Sequence, residues 1–203
     1  MNNNLFFYIA FTSLVACQQA NDNNTIDKPQ ARKLHPIEAA ALELTERPYV
    51  TYDASYQSIA YPMGDVAPDR GVCADVVIRA FRMAGIDLQQ LVHEDMRHNF
   101  AEYPKKWGLP RPDANIDHRR VPNLMRYFER SGWNQPVSTN PADYQPGDIV
   151  AWHLQNGSLT HIGVVVCTAE ARDKPQIVHN IGNGQRIDDV LFAWEIIGHY
   201  RLP

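Results

Sequence analysis

The pattern of hydrophobic and polar positions changes along the chain, from helical spacing in the first two thirds to strand-like runs in the last third. Apolar residues recur every three or four positions in residues 37–46 and 72–84, which predicts two amphipathic helices. Gly85 stops the second helix. A third, shorter helix is predicted over residues 124–131.

Two stretches around the central helix lack this periodicity. Residues 49–69 contain tyrosine, proline and glycine and are predicted to be irregular. Residues 93–120 are polar and contain three prolines, so they are predicted to be mostly loop. Within the helix itself, Arg79 and Arg82 fall between the apolar positions and are expected on its outward side.

The last third of the chain has the composition of strands. Residues 148–153 follow the turn sequence Gln-Pro-Gly, and an Asn-Gly hairpin signal separates them from residues 161–167. Residues 176–181 form a third predicted strand, and residues 192–200 are expected to close the sheet. Helices followed by antiparallel strands indicate an α+β fold.

The N-terminus has the features of an export signal. Residues 5–16 are largely apolar but too few to cross the roughly 30 Å hydrocarbon core of a bilayer. They end in Leu-Val-Ala before Cys17, which resembles a bacterial lipobox, although residues 1–4 lack the usual Lys or Arg. We expect residues 1–17 to be a signal peptide with a lipobox-like end, and Cys17 to be the lipidated anchor to the membrane. The alternatives are secretion without lipidation and an apolar start that is fortuitous.

The rest of the chain divides into a linker and a domain. Residues 18–36 are polar and are predicted to be a flexible linker, and residues 37–203 to be one domain. The net charge of −4 argues against a nucleic-acid partner, which requires a concentrated basic face. Three scattered cysteines give no disulfide framework and no zinc-ligand spacing. We therefore expect no metal and no cofactor.

Cys73 is the strongest candidate for chemistry. It opens a predicted helix, where unpaired N–H groups and the positive end of the helix dipole favour a thiolate and a developing oxyanion. His161 and His179 lie in two consecutive predicted strands, and cross-strand neighbours approach to about 5 Å at Cβ. One imidazole can then orient the other, as in a catalytic triad. The alternative is that Cys73 is a buried small hydrophobe.

Other residues allow both a functional and a structural interpretation. Asp75 fits a helix-capping contact better than a substrate contact. The basic sequence His118-Arg119-Arg120 is either a solvated surface or a site for peptide carboxylates. An aromatic side chain such as Trp107 or Trp152 either stacks on a substrate or packs in the core.

Four motifs in chain order resemble the NlpC-type superfamily of papain-like cysteine peptidases, which cut bacterial peptidoglycan. They are Tyr61-x-x-Gly64, twelve residues before Cys73; Pro146-Gly147-Asp148; His161-Ile162-Gly163; and Ile177-Val178-His179-Asn180. The resemblance covers residue 49 to the C-terminus. Residues 71–77, 115–123 and 198–200 further resemble an uncharacterised bacterial branch of domain-of-unknown-function proteins.

The resemblance implies a papain-like (NlpC-type) fold and a role for each matching residue. Cys73 would be the nucleophile, His161 the general base and His179 the group that holds the imidazole tautomer. Tyr61 would place a hydroxyl near the oxyanion or substrate, and Asp75 and Asn180 are further candidates for such contacts. Val72 and Ala74 replace the usual Asp and Ser beside the nucleophile, and Asp65 replaces a glycine, so the substrate preference is open.

These features together predict a hydrolase of the bacterial cell envelope. The expected reaction is cleavage of an amide bond in peptidoglycan peptides, as an endopeptidase or amidase, through a thioester on Cys73. The expected location is the periplasm, as a lipoprotein anchored through Cys17. Two alternatives remain at this stage: a thiol acyltransferase, and a catalytically silent module that binds peptidoglycan or a partner protein.

Overall fold

The computed structural model describes residues 32–154, 157, 159–169, 171 and 174–203. The predicted signal segment, Cys17 and most of the predicted linker lie outside the described residues. Lys33–Pro203 form one compact unit. Within the described ranges, no helix combines the length and the apolar composition needed to cross a membrane.

Within the described residues, four α-helices precede the main sheet. They are α1 (Pro36–Thr45), α2 (Cys73–Met83), α3 (Leu88–Asn99) and α4 (Val121–Arg130). The predicted helices at α1, α2 and α4 are confirmed within a few residues. The prediction that residues 93–120 are mostly loop was wrong over its first part, because α3 extends to Asn99. Its few apolar positions do have helical spacing, but polar residues around them hide the pattern.

The part of the chain that the structure describes contains seven strands in two sheets. A small parallel pair joins β1 (Thr51–Tyr52) to β2 (Arg70–Gly71) within the segment predicted to be irregular. The five-stranded sheet is antiparallel and has the order β6-β5-β4-β3-β7. Its strands are β3 (Ile149–Leu154), β4 (Leu159–Val166), β5 (Gln176–Asn180), β6 (Gln185–Asp188) and β7 (Glu195–Tyr200). The α+β prediction is therefore confirmed, while β6 was not predicted.

The two faces of the sheet are buried in different clusters. Ile162 and Val164 of β4 join the larger core with α1, α2 and α4. Val165, which points the other way, joins a smaller cluster with Trp152 and Leu191. Because His161 and Val165 share a face of β4, His161 lies on the side of the smaller cluster, and its ring contacts that of Trp152.

The outward placement of Arg79 on α2 was wrong. Arg79 is only 7% exposed, and its Nε donates to Asp65 Oδ2 at 3.0 Å. Its Nη2 also donates to the carbonyl of Arg70 at 2.8 Å. The segment between β1 and α2 thus covers the polar side of the helix, which helical periodicity alone cannot reveal.

Candidate active site

Cys73 is the first residue of α2 and is 4% exposed. The backbone amides of Ile162, Ala74 and Cys73 itself lie close enough to the sulfur to favour its charged form, which lowers the pKa. Two of these amides belong to the first turn of the helix, where N–H groups have no partner in the helix. Since Ile162 follows His161 in β4, its contact also brings the sulfur next to the strand that contains this histidine.

The thiol is nevertheless held in its neutral form. Burial raises the pKa of Cys73 to about 11, and the charge of Asp75 acts in the same direction, outweighing the amides, which lower it. The expectation that the helix start gives a thiol of lowered pKa was therefore wrong. Removal from water penalises the thiolate more than the helix terminus stabilises it.

The strand register brings the two histidines together. Val164 pairs with Val178, and extending the register by one pair sets His179 opposite Gly163, on the same face as His161. His161 Nε2 and His179 Nδ1 are 2.7 Å apart. Gly163 allows this approach, because a Cβ there would lie 3.2 Å from His179 Cβ and 2.6 Å from Ile177 Cγ2. The predicted cross-strand pairing is confirmed.

Asp188, at the end of β6, extends the His161–His179 pair to a row of three hydrogen-bonded side chains. It was not predicted. Its Oδ2 accepts from His179 Nε2 at 2.8 Å and from Arg186 Nε at 2.6 Å. A carboxylate only accepts, so His179 has its proton on Nε2 and accepts at Nδ1 from His161 Nε2–H. This assigns an unprotonated Nδ1 to His161, the arrangement that a general base needs. The turn sequence Gly182-Asn183-Gly184 was the available signal for this added strand.

Both imidazoles are neutral in this environment. Burial, together with the neighbouring His179, lowers the pKa of His161 to about 3. Burial also lowers the pKa of His179, although Asp188 acts in the opposite direction. The three side chains at rest are therefore a neutral thiol and two neutral histidines, rather than a thiolate and an imidazolium.

A tyrosine contacts the thiol, but it is Tyr52 rather than the predicted Tyr61. The Tyr52 hydroxyl interacts with the Cys73 thiol: burial and the charge of Cys73 raise the pKa of Tyr52 to about 12. The ring of Tyr61 instead packs edge-on against His93, with centroids 5.1 Å apart. Sequence motifs favoured Tyr61 through its spacing, whereas the β1–β2 pairing brings Tyr52 to the start of α2.

Asp75 holds the start of α2 in place. Its Oδ2 accepts from the backbone N–H of Val72 at 2.6 Å, which confirms the capping interpretation. Both carboxylate oxygens also accept from Arg119, at 2.8 and 2.9 Å, and both side chains are at most 3% exposed. Both oxygens of Asp75 are occupied by these bonds, and its predicted substrate contact stays a prediction.

Asn180 is likewise tied to the backbone around the site. Its Nδ2 donates to the carbonyl of Gly71 at 3.4 Å, and its Oδ1 accepts from the N–H of Gly182 at 3.0 Å. Asn180 is buried, and these bonds join the end of β5 to the residues just before α2. The hydrogen bonds of Asn180 are thus structural, and its predicted substrate contact stays a prediction.

The sequence matches a family whose description is "Domain of unknown function (DUF1287)" over residues 37–202. The chain belongs to the DUF1287 family. It is also similar to the uncharacterized protein YijF of Escherichia coli (strain K12), with 60% identity over 151 residues. This alignment covers 74% of the chain and 73% of YijF. The DUF1287 match includes every element that supplies Cys73, His161, His179 and Asp188.

The remaining candidates of this DUF1287 chain have structural partners. Trp152 is fully buried and its Nε1 donates to the carbonyl of Leu191 at 2.9 Å, so the core-packing interpretation holds. Asp148 accepts from His199 and Arg201, each at 2.7 Å, and joins β3 to β7. Across the described residues, no three His, Cys, Asp or Glu side chains are grouped as metal ligands.

Proposed function

We propose that this protein is a cysteine hydrolase with a papain-like fold that cleaves an amide bond in peptidoglycan peptides. The proposed reaction is supported by the hydrogen-bonded series Asp188–His179–His161. His161 is followed in β4 by Ile162, whose backbone amide lies near the sulfur of Cys73. The choice of peptidoglycan rests on the resemblance of four sequence motifs to NlpC-type peptidases. The proposed place of action, the cell envelope, rests on the apolar N-terminal segment that ends at Cys17.

In the proposed first step, the sulfur of Cys73 attacks the carbonyl carbon of the scissile amide. Because the resting thiol is neutral, His161 Nδ1 takes its proton as the S–C bond forms, and His179 and Asp188 stabilise the resulting imidazolium. The carbonyl oxygen becomes negative and is stabilised by amides of the first turn of α2 and by the Tyr52 hydroxyl. Collapse breaks the C–N bond, and the amine leaves with the proton from His161.

The second step releases the acyl group. His161, neutral again, takes a proton from a water molecule as its oxygen attacks the thioester carbonyl carbon. The C–S bond breaks, the sulfur of Cys73 recovers a proton through His161, and a carboxylic acid leaves. One amide and one water thus give one acid and one amine, with the thiol restored.

Purified sacculi test the proposed reaction directly. Cys73→Ala should abolish the release of soluble muropeptides, measured by mass spectrometry, because the nucleophile is lost. Cys167→Ser, at the other cysteine of the described domain, should retain release. Equal release by the wild type and Cys73→Ala would contradict the proposal.

A binding module that has lost catalysis is a second candidate, favoured by the burial of Cys73 and its raised pKa. Iodoacetamide at mildly acidic pH separates the two functions, with half-buried Cys167 as the internal reference. Faster alkylation of Cys73 than of Cys167 supports the hydrolase, because His161 accepts the thiol proton during attack. Slower alkylation of Cys73 supports the binding module.

A further inference from the structure

A cavity of about 360 Å³ lies beside Val72, the residue immediately before the candidate nucleophile. Its walls include Tyr56, from the segment after β1, and Trp107, Arg119 and Arg120, from the long connection between α3 and α4. This volume is within the range of small-ligand sites. Ala54 and Ile116 complete its lining, and we call this cavity the Arg120 pocket.

The two arginines of the Arg120 pocket differ in how many N–H donors remain for a ligand. Arg119 forms two hydrogen bonds to Asp75 and is almost fully buried, so it is committed to the start of α2. Arg120 donates only from Nη1, to Asp117 at 3.0 Å, among the hydrogen bonds of the described residues. Its Nε and Nη2 hydrogens therefore remain available to a ligand.

The aromatic residues fix the geometry of this pocket. The guanidinium of Arg120 lies over the ring of Trp107, 4.2 Å from its centroid, which restricts its orientation. The hydroxyl of Tyr56 donates to Asp113 Oδ2 at 3.1 Å, which holds the opposite wall. A guanidinium held in this way presents donors in a plane that matches the two oxygens of a carboxylate.

We propose that the Arg120 pocket binds a free carboxylate of the substrate and thereby selects acidic peptides. This inference rests on the proposed function, because the pocket reaches the scissile bond only if Cys73 is the nucleophile. Arg120 pairs with the carboxylate, and the adjoining apolar part of the peptide packs on Tyr56 and Trp107. An amide in place of the carboxylate loses the charge and one acceptor oxygen.

Two muropeptides that differ at one group test this selection. N-acetylmuramyl-L-alanyl-D-glutamate and N-acetylmuramyl-L-alanyl-D-isoglutamine differ only by a carboxylate replaced with a carboxamide. We expect Cys73→Ala protein, which binds without cleaving, to prefer the carboxylate form by about tenfold in calorimetric Kd. Adding Arg120→Gln should reduce this preference to less than about twofold. Adding Arg126→Gln, a matched change on α4 outside the pocket, should leave it intact.

The outcomes separate the inference from the proposed function. Equal affinity for the two dipeptides, no binding of either, or a preference that survives Arg120→Gln would overturn the inference. Cleavage of sacculi by the wild type without any preference would leave the hydrolase proposal standing. A preference that depends on Arg120 in a protein that cleaves nothing would support the pocket and remove the proposed hydrolysis.

Discussion

At the scale of single residues, Asp188 decides which nitrogen of each histidine holds a proton. Its Oδ2 accepts from His179 Nε2, so the direction of the next hydrogen bond, from His161 Nε2 to His179 Nδ1, follows from charge alone. Asp188 touches neither the thiol nor a substrate in this arrangement. In the proposed mechanism it is a positioning residue that acts through His179.

Asp188→Asn should reduce kcat by about 10²- to 10⁴-fold, because an amide can donate to His179 and reverse the tautomer row. The loss should appear in kcat with little change in KM, since no substrate contact is removed. Steady-state hydrolysis of soluble muropeptides measures both constants. Asp189→Asn, at the exposed neighbouring position, serves as the matched control. An unchanged kcat in Asp188→Asn would show that the row has no catalytic role.

Whether a site residue could be predicted from the sequence depended on whether a motif or only a tertiary contact marks it. Cys73, His161 and His179 were found from motif order, and their relative placement followed from strand register. Tyr52 was missed because its contact with the thiol is made by a two-residue strand that has no periodicity. Asp188 was missed because β6 is short and only the pairing with β5 brings it to His179.

At the scale of elements, the start of α2 depends on a buried ion pair. Asp75 caps the helix through Val72, and Arg119 neutralises the carboxylate from the 3₁₀ segment Asp117–Arg119. Two distant parts of the chain thereby set the position of Cys73. A buried pair of this kind fixes geometry more than it adds net stability, since both charges have been removed from water.

Arg119→Met should destabilise the fold by about 3–5 kcal/mol, because it leaves the buried Asp75 carboxylate without its counter-charge. Urea unfolding followed by circular dichroism measures the change. Arg126→Met, on α4, removes a more exposed ion pair with Glu102 and should lower the free energy of unfolding by less than about 1 kcal/mol. Equal effects of the two substitutions would mean that burial does not govern the Asp75–Arg119 pair.

The helices and strands themselves were largely predictable, for a physical reason. Residues 72–84 and 148–153 bury one face or both, so hydrophobic spacing records their structure. Helix α3 was missed because only four of its positions are deeply buried, and one of these is Gln89. Its amide bonds to the backbone of Ala60 and Gly64, a tertiary arrangement that makes a polar residue part of the interior.

At the scale of the whole molecule, folding buries histidines in their neutral form. Burial lowers the pKa of His161 to about 3, and burial together with the charges of Arg119 and Arg82 lowers that of His118 to about 4. The unfolded chain binds protons on these groups near the ordinary value of about 6.5. Between those values the unfolded state holds more protons, so stability falls as the pH falls below about 6.5 and continues to fall toward the folded pKa.

His118→Gln should remove one of the protons that the chain takes up on unfolding at acidic pH. Between pH 6 and 5, the free energy of unfolding of the wild type should decrease more steeply than that of His118→Gln, by about 1 kcal/mol per pH unit. Urea unfolding at several pH values measures both slopes. Parallel slopes for the two proteins would show that His118 titrates alike in the folded and unfolded chains.

By itself, the sequence determined the helix–strand order, the α+β class and the identity of the cysteine and the two histidines, because periodicity and local motifs record which positions are buried. Only the tertiary structure decided the protonation of the thiol, the partner of its sulfur and the end of the histidine row. These properties depend on exclusion of water and on contacts between residues far apart in the chain. The local sequence around Cys73 predicts neither its burial nor these contacts.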